Sequence, residues 1–203
     1  MQVTAIEKNG KYKYKVFVEG EYVFWLSWKE LYFWKIQLNS EITGDTLKKI
    51  KKESILQKCK RKAITYLKYA NQTEYDLRTK LKRQLYTEDI INQTIAYLYD
   101  MHYIDDYRYV ENYVEINKKK HSRKWIEIKL HQKGISKELL SEFFDAEYSE
   151  EDAIRKAIEK RVKGGTISSR EQKAKVLSAL YRQGFSFSET SKILQEYEES
   201  YTS

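Results

Sequence analysis

The chain repeats itself twice, at offsets of 49 and 50 residues, and nothing else in the sequence limits its possible folds so strongly. Superimposing Leu81, Leu130 and Leu180 brings Leu77, Ile126 and Val176 together four positions upstream and Tyr86, Ile135 and Phe185 five positions downstream. Thr87, Ser136 and Ser186 follow at once, and Ile95, Phe144 and Leu194 stand fourteen positions beyond the anchor. Apolar residues four apart share one face of a helix, and a Ser or Thr ahead of the next apolar run is N-cap chemistry, a hydroxyl accepting an orphaned backbone N–H. Each repeat therefore holds a helix, a tight turn and a second helix, with a further helix leading in. A unit of this kind cannot bury its apolar stripe alone, so neighbours must stack. The expected body is mainly α: three tandem three-helix repeats in an elongated array, with a long surface suited to a long partner.

The residues before the repeats follow a different pattern. Asn9-Gly10 separates two runs of β-type residues, which is the type I′ hairpin signal, and Tyr12, Tyr14, Val16 and Val18 alternate with Lys11, Lys13, Lys15 and Phe17. Glu19-Gly20 is a second turn, ahead of Tyr22 to Leu26. These features predict a three-stranded antiparallel meander with one wet, basic face. Ser27 and Glu30 have capping-box spacing and open a short helix to about Ile36. Trp25, Trp28 and Trp34 fall here, either as core for a sheet too small to stand alone or as a stacking platform for bases. Thr43-Gly44-Asp45 is a boundary and a cap, after which a long helix is expected from about Thr46 to Tyr69.

The expected divisions are 1–44 for the meander and short helix, 45–104 for the linker helix and repeat one, 105–147 for repeat two, and 148–203 for repeat three with its acidic tail. Repeat one has helices capped by Thr73 and Thr87. Repeat two has a helix from Asp106 to about Lys118, then helices after Ser122 and Ser136. Repeat three has a helix from about Ser149 to Val162, a loop over Lys163–Ser168, and boxes at Ser169…Gln172 and Ser186…Glu189.

A formal charge of +8 suits an anionic partner, whether nucleic acid or an acidic protein groove. The single cysteine, Cys59, forms no internal disulfide, which fits a reducing compartment. Neither a signal peptide nor a stretch near the roughly 18 apolar residues of a membrane span is visible, so a cytoplasmic protein without membrane contact is expected.

Gly164-Gly165 joins helices, unlike a phosphate-cradling loop, and His102, His121 and His131 are scattered without metal-ligand spacing. Asp105-Asp106 is the only carboxylate pair near a possible centre, but adjacent helical residues point about 100° apart. Such a pair clamps a metal poorly and caps a helix well. No enzyme activity, cofactor or metal is therefore expected, with an Asp105/Asp106 nuclease as the weakest alternative.

The stretch Tyr103-Ile104-Asp105-Asp106-Tyr107-Arg108-Tyr109-Val110, followed by Tyr113, Ile126, Leu130 and Lys133-Gly134-Ile135, resembles the central signature of the RecX family, bacterial regulatory proteins of the RecA recombinase. The resemblance extends through the repeats and the β-rich start. Two departures are visible: His102 stands where the family usually has glycine, and a glycine expected near Ser122 is missing. The resemblance implies a non-enzymatic, monomeric protein that lies along the RecA filament on single-stranded DNA, suppresses ATP hydrolysis and strand exchange, and acts in recombination and repair. In that reading Tyr103, Ile104, Asp105, Asp106 and Gly134 are structural.

Candidate contacts to RecA or DNA come from three basic clusters. Lys118, Lys119, Lys120, Arg123, Lys124, Lys129 and Lys133 stand against Glu127 alone. Trp125 and Ile128 sharpen that segment, because their equivalents in the other repeats (Asp76 and Thr79, Lys175 and Ser178) are polar. Trp125 is read either as packing against a neighbouring repeat or as an aromatic anchor for a partner. The second cluster is Arg78, Lys80, Lys82 and Arg83; the third includes Arg155, Lys156, Lys160, Arg161, Arg170 and Lys173. The competing reading is a protein that binds single-stranded or duplex DNA without RecA, and such phosphate contacts weaken steeply with salt.

Overall fold

The computed structural model describes residues 1–144, 148–162, 167 and 169–200, and divides into two compact units, Met1–Asp105 and Asp106–Ser203. The fold is mainly α-helical, with three three-helix repeats preceded by a small antiparallel sheet and a short helix.

In the first unit, β1 (Val3–Asn9), β2 (Lys13–Val18) and β3 (Glu21–Leu26) form a sheet of order β1-β2-β3. The I′ expectation at Asn9-Gly10 is corrected: Asn9 pairs with Lys13 across a three-residue turn. Two-residue geometry appears instead at Glu19-Gly20, where Val18 pairs with Glu21 and both turn residues have positive φ, 51° and 84°, as a type I′ turn requires. Val16, Val18, Phe24 and Leu26 are buried on one face. The other face is less wet than expected. The Lys13 ammonium donates to Gln84 and lies 4.5 Å from the Trp25 ring centroid, and the Tyr22 hydroxyl donates to the Leu85 carbonyl at 2.5 Å.

Helix α1 (Trp28–Phe33) starts at the expected capping box, with Ser27 and Glu30 each bonding the other's backbone. It stops short of Ile36, which is buried beyond its end. Of the three tryptophans, Trp34 donates to Ser54 at 3.0 Å and Trp25 is half-buried, whereas Trp28 is 67% exposed. The long linker helix is interrupted. Helix α2 (Gly44–Ile50) runs through a π-helical stretch, Lys51–Ile55, into α3 (Leu56–Tyr69). Ile50 and Ile55 are both buried but five apart, a spacing that an α-helix rotates about 140° off one face and a wider π turn largely restores. Helices α4 (Glu74–Arg83) and α5 (Glu88–Asp100) complete repeat one. Thr73 caps α4 through the Asp76 N–H, while Thr87 holds the N-cap position of α5 but turns its hydroxyl to the Asp89 carboxylate. One apolar core runs from Val3 through the helices to Ile104, which is how so small a sheet is stabilised.

The second unit begins with α6 (Asp106–Asn117), α7 (Arg123–His131) and α8 (Lys137–Ser141), then α9 (Glu151–Glu159), α10 (Arg170–Arg182) and α11 (Phe187–Ser200). Ser122, Ser136 and Ser169 accept the N–H groups of Trp125, Leu139 and Gln172, the caps expected from sequence. The anticipated Lys163–Ser168 loop lies outside the described residues except for Ile167. Each repeat carries its own core, around Ile126 and Leu130 in repeat two and around Ile154 and Leu180 in repeat three.

The repeat offset also marks the backbone. Leu85, Gly134 and Gly184, which fall on one another in the alignment, have φ of 69°, 78° and 90°. Behind them the N–H groups of Tyr86, Ile135 and Phe185 reach back to the carbonyls of Leu81, Leu130 and Leu180, the Schellman closure of a helix end. His102 ends α5 in the same way, with φ 53° and the Tyr103 N–H on Leu98 at 2.8 Å. The glycine-to-histidine departure thus sits at a left-handed cap, where histidine is among the better tolerated non-glycine residues.

Candidate nucleic-acid and partner interface

Ser122 ties repeat two to repeat three. Its hydroxyl, 1% exposed, accepts the Trp125 N–H and donates to the Gln183 carbonyl at 2.7 Å. Gly184 packs so closely that a Cβ there would lie 2.9 Å from Ser122 Oγ and 3.2 Å from Lys124 Cβ. Beside this contact the Arg123 N–H donates to Glu150 at 2.6 Å. Burial still holds the Glu150 carboxyl above its ordinary range, helped by Glu189.

The junction forms one side of a cleft of about 740 Å³. Repeat two contributes Lys119, Lys120, His121, Ser122 and Trp125, and repeat three contributes Lys156, Ala157, Lys160, Arg161, Gln183 and Phe185. Five cations line it and no carboxylate does. Lys119 has a distant partner, Asp152 at 3.8 Å; among the described residues no carboxylate pairs with Lys120, Lys156, Lys160 or Arg161. His121 stacks on Trp125 with ring centroids 3.7 Å apart and planes 12° from parallel. Burial, and then the charge of Lys120, hold the imidazole below its ordinary pKa, which favours its uncharged form. Trp125 packs against the core of its own repeat and also lines the cleft.

The other candidates divide by what already holds them. Arg78 bonds Glu74, Glu88 and Asn92, and Lys82 bonds Glu88 at 2.9 Å. Arg155 lies between Glu151 and Glu196, and Lys173 meets Glu198 at 2.7 Å. Lys118 pairs with Glu115, and Arg123 pairs with Glu127 while its guanidinium lies 5.0 Å from the Phe144 ring centroid. Arg83, Lys124 and Arg170 are exposed, Lys133 is half-buried, and Lys129 reaches to 5.6 Å from the Trp125 ring. Ile128 is 48% exposed but does not line the cleft. In the motif, Ile104 is buried in the first unit's core, Tyr103 closes the α5 cap, Asp106 opens α6, and Gly134 supplies the left-handed turn after α7. Asp105 directly precedes α6. Among the described residues no group of three His, Cys, Asp or Glu side chains could hold a metal ion, and no helix is long and apolar enough to cross a membrane.

Sequence reasoning placed Lys156, Lys160 and Arg161 in a separate basic cluster and passed over His121. The available signal was the i, i+4 spacing of Lys156 with Lys160 and of His121 with Trp125, which puts each pair on one side of its segment.

Comparison with known proteins matches one family domain to each of the three repeats. The RecX first three-helix domain matches residues 59–98, the second 105–142 and the third 149–194. The regulatory protein RecX of Clostridium tetani is 29% identical over 185 residues, covering 89% of this chain and 85% of the relative. That of Clostridium acetobutylicum is 28% identical over 206 residues, covering 96% and 95%. A crystal structure of a regulatory protein RecX superimposes with a TM-score of 0.63 at 24% identity over 96% of this chain and 100% of that one. RecX from Lactobacillus salivarius gives 0.61 at 28% identity over 70% and 96%.

Proposed function

The chain belongs to the RecX family, and from that premise we propose that it regulates the RecA recombinase by binding RecA filaments on single-stranded DNA. Bound, it lowers ATP hydrolysis and strand exchange and shortens the filament. The observation that carries this reading is a basic cleft built from two successive repeats, in a chain that holds three such repeats. Several modest contacts linked in one chain gain from high effective concentration, and preferential binding to an inactive or shortened filament shifts the population toward it. The protein acts as a monomer in the cytoplasm, without cofactor or metal, and its working divisions are 1–44, 45–104, 105–147 and 148–203.

The cleft also favours a second reading, in which the protein grips DNA and RecA is irrelevant. Co-sedimentation separates the two. The proposal expects the protein to pellet with RecA–DNA filaments at salt concentrations where it no longer pellets with bare single-stranded DNA on beads. Equal recovery on both, with or without RecA, would replace it by the second reading.

A further inference from the structure

We propose that the cleft between repeats two and three seats a single strand of nucleic acid, its phosphates on the lysines and arginine of the walls and a base on the His121–Trp125 stack. This deepens the filament reading by giving the DNA strand its own place on the chain, and it stands or falls on bare DNA.

Charge and shape argue for it together. The five cations come from two repeats and converge on one concavity, and only Lys119 has a carboxylate partner, a distant one, among the described residues. Arg78 and Lys82 of repeat one and Arg155 and Lys173 of repeat three are instead paired with carboxylates within the protein. Lys156 lies in the last turn of α9 and Lys160 is its C-cap four residues on, and both line the cleft. The buried Ser122 hydroxyl bridging to Gln183 and close packing at Gly184 hold the two repeats that carry these cations together.

The aromatic pair chooses among anions. An acidic peptide would satisfy the lysines but has no need of a stacked imidazole and indole, whereas every nucleobase offers a π-face. A duplex keeps its base faces inside the helix and presents only phosphates and groove edges.

The test is fluorescence anisotropy of a labelled oligothymidylate with the full-length protein, without RecA, over a salt series. Lys156→Gln/Lys160→Gln changes two exposed side chains with no carboxylate partner among the described residues, and circular dichroism verifies its fold. Affinity should fall at least tenfold at moderate salt, and the slope of log affinity against log salt should become shallower by about 1.4, from roughly 0.7 per phosphate contact on a single strand. The charge-matched Lys48→Gln/Lys49→Gln pair, exposed in the first unit, should change affinity less than threefold. His121→Ala should weaken oligothymidylate but not an abasic strand of the same length. Equal losses for the two lysine pairs would show diffuse attraction and overturn the proposal. So would binding of polyglutamate, with no binding of oligothymidylate, that the cleft variant abolishes; the cleft would then belong to an acidic protein segment. None of these outcomes depends on RecA, so a failed seat and a failed filament reading are told apart.

Discussion

Replacing His102 by glycine should stabilise the protein. His102 occupies the left-handed cap of α5 at φ 53°, and its side chain is exposed. A left-handed conformation costs an L-residue about 1–2 kcal/mol. Glycine removes that strain but enlarges the unfolded ensemble, at a cost of roughly 0.4–1 kcal/mol. The net gain is about 0.5–1 kcal/mol, and a unit of this size shifts its Tm by about 4–8 °C per kcal/mol. Tryptophan fluorescence during urea and thermal unfolding is the assay, because Trp25, Trp28 and Trp34 lie in the first unit and only Trp125 in the second. His102→Ala is the control: it keeps a Cβ and should show no gain. A glycine variant no more stable than the alanine variant would refute the argument that this cap is strained. Leu85→Gly at the equivalent position should gain less, since the Leu85 side chain is half-buried and its packing would be lost.

The opposite change at the matching cap, Gly184→Ala, should destabilise the second unit by about 2–3 kcal/mol, from left-handed strain together with overpacking against Ser122 and Lys124; a change under 0.5 kcal/mol in urea unfolding would contradict the packing described. Ser122→Ala removes a helix cap and the bridge to Gln183, and about 2 kcal/mol should be lost on the same assay. Glu30 tests the pH dependence. Burial pushes its carboxyl up, but Ser27 and Lys58 pull it further down, so its net pKa lies below the ordinary value. On the other side of the pair, burial outweighs Glu30 and holds Lys58 below its usual value. A carboxyl depressed in the folded state contributes stability that is present above its unfolded pKa and lost as pH falls through the folded one. Stability of the first unit should therefore decline as pH drops below about 4.5, and Glu30→Gln should be less stable at neutral pH and flatter over that acid range; an unchanged acid slope would count against the Glu30–Lys58 pair.

What was legible in the sequence was mostly local chemistry. Ser27…Glu30, Thr73, Ser122, Ser136 and Ser169 cap where their side chains indicated, because a cap depends only on residues two or three positions away. Gly134 and Gly184 take left-handed backbone where the repeat called only for a tight turn, and Leu85 hides the same geometry behind an ordinary side chain. The π turn at Lys51–Ile55 was missed because it is set by which apolar residues must face the core, a tertiary demand. Lys13 looked wet because alternation assigns a face but not what covers it. The candidate cleft was only half visible. Basic residues were evident in both repeats, but that Lys120 and Lys156 line one cleft depends on packing such as Ser122 against Gln183, a contact 61 residues apart that no local pattern encodes.

The most direct test of the central claim is RecA's single-stranded-DNA-dependent ATP hydrolysis, titrated with this protein at substoichiometric ratios to RecA. The account predicts strong inhibition at ratios where most of the DNA remains free of the protein. Unchanged hydrolysis up to equimolar protein, alongside tight and salt-sensitive binding to bare DNA, would contradict it.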